Sequence, residues 1–251
     1  MKKFRYRIIL LSIFFVFAFP SYCEADWFVD VESGWVFSGR NEVRIPGDTG
    51  TQFSLTNDLK TNSAPFVRLR LGYQFHPRHT VSVLWAPLSL DASGSVGRAI
   101  LFFEEEFSPG VPLSARYTFN SYRVRYRFTL VRRDKWRFGI GFTAKIRDAA
   151  VKVEGEGKSS EKANVGFVPL LNIKFEWLFS DKWSLLLDGD AAAAPQGQGR
   201  AEDILIALQF RFNEMFAIKF GYRILEGGAD VQETYNFALI HYIVVGTTIH
   251  F

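Results

Sequence analysis

The stretch "WRFGIGFTAKIR", residues 136–147, alternates strictly between two kinds of side chain. One set of alternate positions, from Trp136 to Ile146, is apolar, and the other set carries arginine, glycine, threonine and lysine. Residues two apart lie on the same face of a β-strand. The stretch therefore predicts a strand of about twelve residues, longer than the roughly five to six residues typical of globular proteins.

The same alternation recurs through the chain. It is found in "PFVRLRLGYQF" (65–75), "NSYRVRYRFTL" (120–130), "FEWLFSDKWSLLLDGD" (175–190), "EDILIALQFRF" (202–212) and "MFAIKFGYRI" (215–224). A soluble barrel would turn its apolar face inward, whereas a membrane barrel turns it to lipid around a polar lumen. Glycine on the polar face and aromatic residues at the strand ends favour the membrane barrel.

Residues 1–25 have the layout of a secretory signal peptide. Four basic residues within the first seven positions precede an apolar run over residues 8–19, and cleavage is expected after Ala25. The run is shorter than the roughly 20 residues of a membrane-spanning helix. A lipoprotein site at Cys23 and an uncleaved anchor are the alternatives. Cleavage would leave residues 26–251 as one barrel domain and would remove Cys23, the one cysteine.

The charge of the predicted mature chain argues against nucleic acid as a partner. The full sequence has 30 basic and 26 acidic residues, a net charge of +4. Residues 1–25 hold four of the basic residues and one acidic residue, which leaves about +1. Nucleic-acid binding needs a strong basic excess. No apolar stretch after residue 25 is long enough for a helical membrane span.

The connections fall into two length classes. Short charged turns are predicted at 76–79, 132–135, 180–182 and 213–214, and longer polar loops at 40–62, 92–113, 154–162, 195–201 and 227–235. Short periplasmic turns and long outward loops are typical of membrane barrels.

The strand count follows from these connections. Ten strands are expected near 27–39, 63–75, 79–91, 114–131, 135–153, 163–178, 182–194, 202–212, 215–226 and 236–251. The fold class is therefore all-β, a closed antiparallel transmembrane barrel with both termini on the periplasmic side. Eight strands would result from merging two weak ones, and twelve if 42–56 and 96–107 pair as a hairpin.

The chain ends in "HYIVVGTTIHF", residues 241–251, with apolar or threonine residues at alternate positions up to Phe251. This resembles the C-terminal strand of bacterial outer-membrane β-barrel proteins, although no characterised member is indicated. The resemblance implies a Gram-negative outer-membrane location among lipids and lipopolysaccharide. It also implies that Phe251 is an assembly signal for the barrel-assembly machinery. Physically, the last strand must pair with the first, because an open sheet edge is not tolerated in lipid.

The strand faces assign a set of charged residues to the lumen. The basic set is Arg68, Arg70, Arg123, Arg125, Arg127, Arg137, Lys145, Arg147, Lys174, Arg211, Lys219 and Arg223. The acidic set is Asp30, Glu32, Glu176, Asp188, Asp190 and Asp203. Since unpaired buried charges are costly, the twofold basic excess suggests contact with water or an anion. The hypotheses are a structural salt-bridge network and a narrow, porin-like channel for small anionic solutes.

Other functions have weaker support in the sequence. Some outer-membrane lipid A deacylases use a lipid-facing histidine and serine, and His241 falls on the lipid face, but Ile243 stands two residues on. A protease would need Asp188 and Asp190 near a rim histidine. The loops 40–62 and 92–113 could bind partners at the surface. No catalytic residue, metal site or cofactor is expected. Residues 226–237 are predicted to be a loop turning at Gly227 and Gly228.

Overall fold

The structure, a computed structural model, describes residues 26–194 and 198–251. The predicted signal peptide, residues 1–25, lies outside this range. The described residues form fifteen strands. Their bounds are β1 Asp26–Arg44, β2 Phe53–Ser54, β3 Lys60–Thr61, β4 Ala64–His76, β5 His79–Ala86, β6 Ser89–Ser95, β7 Ile100–Phe102, β8 Glu105–Phe107, β9 Pro112–Arg132, β10 Trp136–Gly155, β11 Lys158–Leu178, β12 Trp183–Ala193, β13 Gly199–Arg211, β14 Phe216–Val231 and β15 Thr234–His250. Within this part of the chain there is no helix long and apolar enough to cross a membrane.

The long strands close into an antiparallel barrel. Each wall strand pairs with its neighbours in sequence, and β15 pairs with β1 from His250 opposite Phe28 to Tyr235 opposite Arg44. Strands β5 and β6 together form one interrupted strand of the wall, because both pair with β9. The wall therefore has ten strands, and the predicted closed ten-strand fold is confirmed. The N–H group of Phe251 donates to the carbonyl oxygen of Trp27 at 2.8 Å.

The two ends of the barrel differ as the sequence predicts. At one end, the turn end, short connections join β4 to β5, β9 to β10, β11 to β12 and β13 to β14. At the other, the loop end, residues 45–63 and 96–111 make the long excursions. The expected loops 154–162 and 227–235 are wrong, because extended hairpins replace them and turn at 156–157 and 232–233.

Gly227 and Gly228 lie inside β14 and not at a turn. A Cβ atom on Gly228 would come within 2.0 Å of the carbonyl oxygen of Asn236, so β15 packs against bare backbone there. The twelve-strand alternative is also wrong. Residues 100–102 pair with 105–107 and Phe53 pairs with Val43, so these segments fold onto the mouth and not into the wall.

The outside of the barrel is apolar and the inside is charged. Phe142 and Phe220 are 68% and 61% exposed, whereas Arg68 and Arg123 are buried. Exposed tryptophans ring the turn end, namely Trp27, Trp136, Trp177 and Trp183. This arrangement reverses that of a water-soluble protein and suits a wall surrounded by lipid, with aromatic residues at the interface.

The sequence predicts a polar lumen, but near the loop end the lumen is apolar. Residues 45–63 and 96–111, here called the cap, fold over the loop end and bury their own apolar side chains, including Phe53, Phe102 and Phe107. Backbone bonds join the two segments: Thr51 N–H donates to Leu101 at 2.9 Å. The expectation failed because inward positions near the loop end are apolar where they meet the cap, for example Val43 and Val153.

An ion pair fastens the outer surface of the cap. Arg98 donates to a carboxylate oxygen of Asp58 at 3.1 Å, and the same carboxylate accepts the N–H of Ser54 at 2.8 Å. Partial burial alone would raise the pKa of Asp58, but these two donors hold it below the usual range. The cap therefore has a defined conformation, stabilised by an apolar interior and a charged outer bond.

Candidate functional site

Three arginines of β9 reach across the lumen to β12 and β13. Arg123 places one guanidinium nitrogen 2.7 Å from Asp190 and the other 2.6 Å from Asp203. Arg125 lies 2.5 Å from Asp190 and 3.0 Å from Asp188. Arg127 follows at 3.0 Å from Asp188. Alternate residues of one strand thus bind alternate residues of another across the barrel interior.

A second group of charges joins this one at Asp203. Arg68 and Arg223 lie 3.0 Å and 2.5 Å from its two carboxylate oxygens. Arg223 also pairs with Glu32 at 2.7 Å, and Lys219 lies between Glu32 and an aspartate of β1. We call the combined network the charge partition: Asp30, Glu32, Arg68, Arg123, Arg125, Arg127, Asp188, Asp190, Asp203, Lys219 and Arg223.

Buried side chains of the charge partition occupy the middle of the lumen. Arg123, Arg125 and Asp190 are only 3%, 4% and 1% exposed. Neutral groups add hydrogen bonds: Thr143 donates to Asp190 at 2.8 Å, and the amide of Asn172 donates to the same residue at 2.9 Å. Buried charges are costly unless they are paired, and Arg123 and Arg125 each pair with two carboxylates.

Glu176 forms a looser site near the turn end. Arg137 and Arg211 each lie 3.6 Å from its carboxylate, and Ser184 donates to it at 3.1 Å. Both arginine side chains are about a third exposed. Such partly solvated pairs contribute little to stability.

Four of the predicted lumen cations have no carboxylate within ion-pair distance among the described residues. Arg70 and Lys174 line a small cavity of about 90 Å³ on the turn-end side of the charge partition. Lys145 and Arg147 line a chamber of about 550 Å³ on the loop-end side. The basic excess seen in the sequence is therefore concentrated at two cavities that the charge partition separates.

The loop-end chamber has walls of small residues. Inward alanines and glycines of β10 and β12–β15 keep the space open, among them Ala149, Ala192, Ala201 and Ala238. At its rim, Glu226 accepts hydrogen bonds from Arg200 and Arg40. The sequence did not predict this chamber, although three alanines of the "DAAAA" run at 190–194 line it.

Among the described residues, the pairing of the wall beside the chamber is interrupted between β11 and β12. Strand β11 pairs with β10 along its whole length, from Lys158 to Trp177, but with β12 only over Leu171–Leu178. Residues 158–170 thus have one edge without a strand partner in the described part of the chain. Pro169 lies just beyond the last pair and has no N–H to donate, as is usual at a sheet edge. We call this opening the lateral gap.

The residues considered for catalysis lie apart. His241 faces outward, stacks on Phe37 and is bonded through Nδ1 to the hydroxyl of Tyr222 at 2.5 Å. Asp188 and Asp190 lie inside the charge partition with their oxygens bound to arginines. No group of three or more metal-ligating side chains occurs among the described residues.

Comparison with solved structures identifies the architecture. The outer-membrane protease OmpT of Escherichia coli aligns with a TM-score of 0.57 and 9% identity, over 90% of this chain and 97% of that one. The chain has the fold of the bacterial outer-membrane β-barrel proteins. Ail, the attachment invasion locus protein of Yersinia pestis, aligns at 0.41 with 10% identity, over 90% and 99% of the two chains. An outer-membrane channel of Pseudomonas putida F1 aligns at 0.43 with 10% identity, over 90% and 95%.

At 9% identity, the likeness to OmpT shows the fold and not the function. The sequence matches no protein-family model and no curated protein. In an outer-membrane barrel the short turns lie on the periplasmic side and the long loops outside, which places the loop-end chamber toward the outer leaflet.

Proposed function

We propose that this outer-membrane barrel is closed to solutes and binds a ligand in its loop-end chamber. The observation that carries the proposal is Arg123, which is bound to both Asp190 and Asp203 across the lumen and is almost completely buried. A pore for anions needs free, hydrated cations along a continuous path. Arg123, Arg125 and Arg127 are paired across the lumen, so the geometry favours the structural network over the channel.

The loop-end chamber supports the binding half of the proposal. Its volume of about 550 Å³ lies within the range of about 300–1,000 Å³ found for small-molecule sites. It combines mainly apolar walls with a few charged groups, as ligand sites do. The cap covers the lumen beside it, so a bound molecule would be partly enclosed.

Conductance in planar bilayers tests the closed state. We expect the protein extracted from membranes to insert without conductance steps. A triple variant, Arg123→Ala with Arg125→Ala and Asp190→Asn, removes side chains that cross the lumen while leaving Asp188 and Asp203 with other arginine partners, and we expect it to open steps. Steady conductance of the unaltered protein would overturn the closed state.

The matched control removes an ion pair outside the lumen. Arg116 and Asp91 are 2.7 Å apart, and their side chains are 60% and 59% exposed. The Arg116→Ala variant should therefore behave like the unaltered protein. Heat-dependent mobility in gels would show that each variant remains a folded barrel.

An enzyme acting on lipid A or peptides is a less supported alternative. His241 has the aromatic side chains Phe37 and Tyr222 as neighbours. The carboxylate of Asp188 is ion-paired with Arg125 and Arg127. Surface binding through the cap is compatible with the closed barrel, since the cap lies at the loop end, which faces outward. An unchanged lipid A mass after expression of the protein would dispose of the deacylase hypothesis.

A further inference from the structure

We infer that the loop-end chamber binds a single-chain anionic amphiphile of the fatty-acid type, which reaches it from the outer leaflet through the lateral gap. This inference rests on the proposed function, because the charge partition must close the floor of the chamber. Three features carry it: uncompensated cations at the floor, small apolar walls above them, and an opening in the wall at the same height.

Among the described residues, no carboxylate lies within ion-pair distance of the cations at the floor. Lys145 lies over the ring of Phe119, with its Nζ atom 4.7 Å from the ring centre, and is 2% exposed. Arg147 is bonded to the neutral side-chain oxygen of Asn164. A buried ammonium group without a carboxylate partner is costly, and a ligand carboxylate placed there would supply the missing charge.

The other charged groups of the chamber leave this floor positive. Lys162 lies over the ring of Phe103, and Arg200 is bound to Glu226 at the rim. Glu226 is also bound to Arg40, and Glu233 lies exposed in the turn between β14 and β15. The carboxylates therefore lie at the rim and the free cations lie at the floor, which suits an anionic head group bound deep in the chamber.

The lateral gap opens beside these cations. The pairing of β10 with β11 places Lys145 opposite Val168 and Arg147 opposite Gly166, both within the part of β11 that has a free edge. Gly166 has no side chain to obstruct the passage. An acyl chain would then lie along the small residues of the wall while its head group meets Lys145 and Arg147.

The gap lies at a height that lipid reaches. Val165 and Phe167, on the outer face of the free segment, are 68% and 67% exposed. Leu171, where pairing with β12 begins, lies on the order of 15 Å above Trp177 of the turn-end ring, for a tilted strand rising about 3.3 Å per residue. The apolar belt of such barrels is about 25 Å tall. The gap therefore opens in the outer half of the membrane, where an unpaired strand edge is otherwise avoided.

Binding of dodecanoate to the protein extracted from membranes tests the chemistry. Native mass spectrometry would count bound molecules, with dodecanol and dodecyltrimethylammonium as probes of equal chain length. We expect dodecanoate to bind at least tenfold more tightly than either. The variant Lys145→Met with Arg147→Gln should lose that preference, and Lys145→Gln alone should lose part of it.

Lys174→Met is the matched control, because Lys174 is also a lumen cation without a carboxylate partner but lines the turn-end cavity. It should bind dodecanoate like the unaltered protein. Equal binding of the three probes, or an unchanged preference in the Lys145 and Arg147 variant, would overturn the inference.

A tryptophan at the gap tests the route. Ala192 lines the chamber beside the gap, whereas Ala163 is exposed on the free segment of β11 outside the chamber. We expect Ala192→Trp to slow the association of dodecanoate at least tenfold and Ala163→Trp to leave the association rate unchanged. Equal association rates in the two variants would reject the gap as the route. Conductance separates the two proposals: a silent barrel without dodecanoate binding rejects only this inference, whereas a conducting barrel rejects the closed state.

Discussion

Two buried lysines show that the same residue type has opposite roles in this lumen. Lys219 lies 2.7 Å from Asp30 and 2.8 Å from Glu32, so its charge is compensated twice. Lys145 contacts an aromatic ring and no carboxylate within ion-pair distance in the described structure. Sequence alternation places both inside, but it cannot distinguish them, because their partners come from other strands.

Substituting each lysine by methionine should separate the two roles. Lys219→Met leaves two buried carboxylates with one cation fewer, and we expect a loss of about 3–5 kcal/mol of unfolding free energy. Lys145→Met removes a buried charge without orphaning a partner, so we expect a change near zero or a gain. Urea titration of both variants in lipid vesicles would measure this. Equal losses would contradict the assignment of Lys145 as uncompensated.

At the scale of elements, the cap was the least predictable part. Its two segments are predicted from the sequence to be polar loops, yet Ile100, Phe102 and Phe107 are fully buried. Each segment contains only short strands. Its apolar side chains become buried only when both segments meet at the barrel mouth. Local patterns cannot show such a meeting of distant segments.

Removing one cap aromatic should loosen the cap and spare the barrel. Phe102 is completely buried and contacts Phe53 edge-on, with ring centres 6.0 Å apart. Phe→Ala in a packed core costs about 3–5 kcal/mol. In Phe102→Ala we expect proteolysis within 45–63 and 96–111 to become at least tenfold faster. Leu101→Ala, at an exposed neighbour, is the control. Unfolding of the whole barrel in Phe102→Ala would show that the cap and wall are one unit.

At the scale of the whole molecule, the charge partition acts as one connected unit. Asp203 binds Arg68, Arg123 and Arg223, which come from three different strands. Ion pairs that share a partner are energetically coupled. The partition therefore links the two sides of the barrel as well as closing its passage.

A double-mutant cycle on Arg123 and Arg223 tests this connection. Both bind Asp203, so the combined effect of Arg123→Met and Arg223→Met on the unfolding free energy should differ from the sum by about 0.5–3 kcal/mol. The pair Arg223 and Arg116 shares no partner and should be additive within about 0.5 kcal/mol. Additivity of the first pair would show that the two halves of the partition are independent.

The sequence by itself determined the barrel. Alternation with a period of two is a local property of each strand, and ten such strands with short and long connections leave a closed antiparallel wall as the fold. The terminal strand ending at Phe251 pairs with β1, because the closed wall leaves no edge there.

Only the tertiary structure decided how the interior is used. Whether an inward arginine closes the lumen or faces a cavity depends on which carboxylates stand opposite, and Arg123 meets residues of β12 and β13 that are far away in sequence. The lateral gap likewise depends on β12 ending its pairing at Leu171 while β11 continues. These features arise from relations between strands, and the alternation within one strand carries no information about its partners.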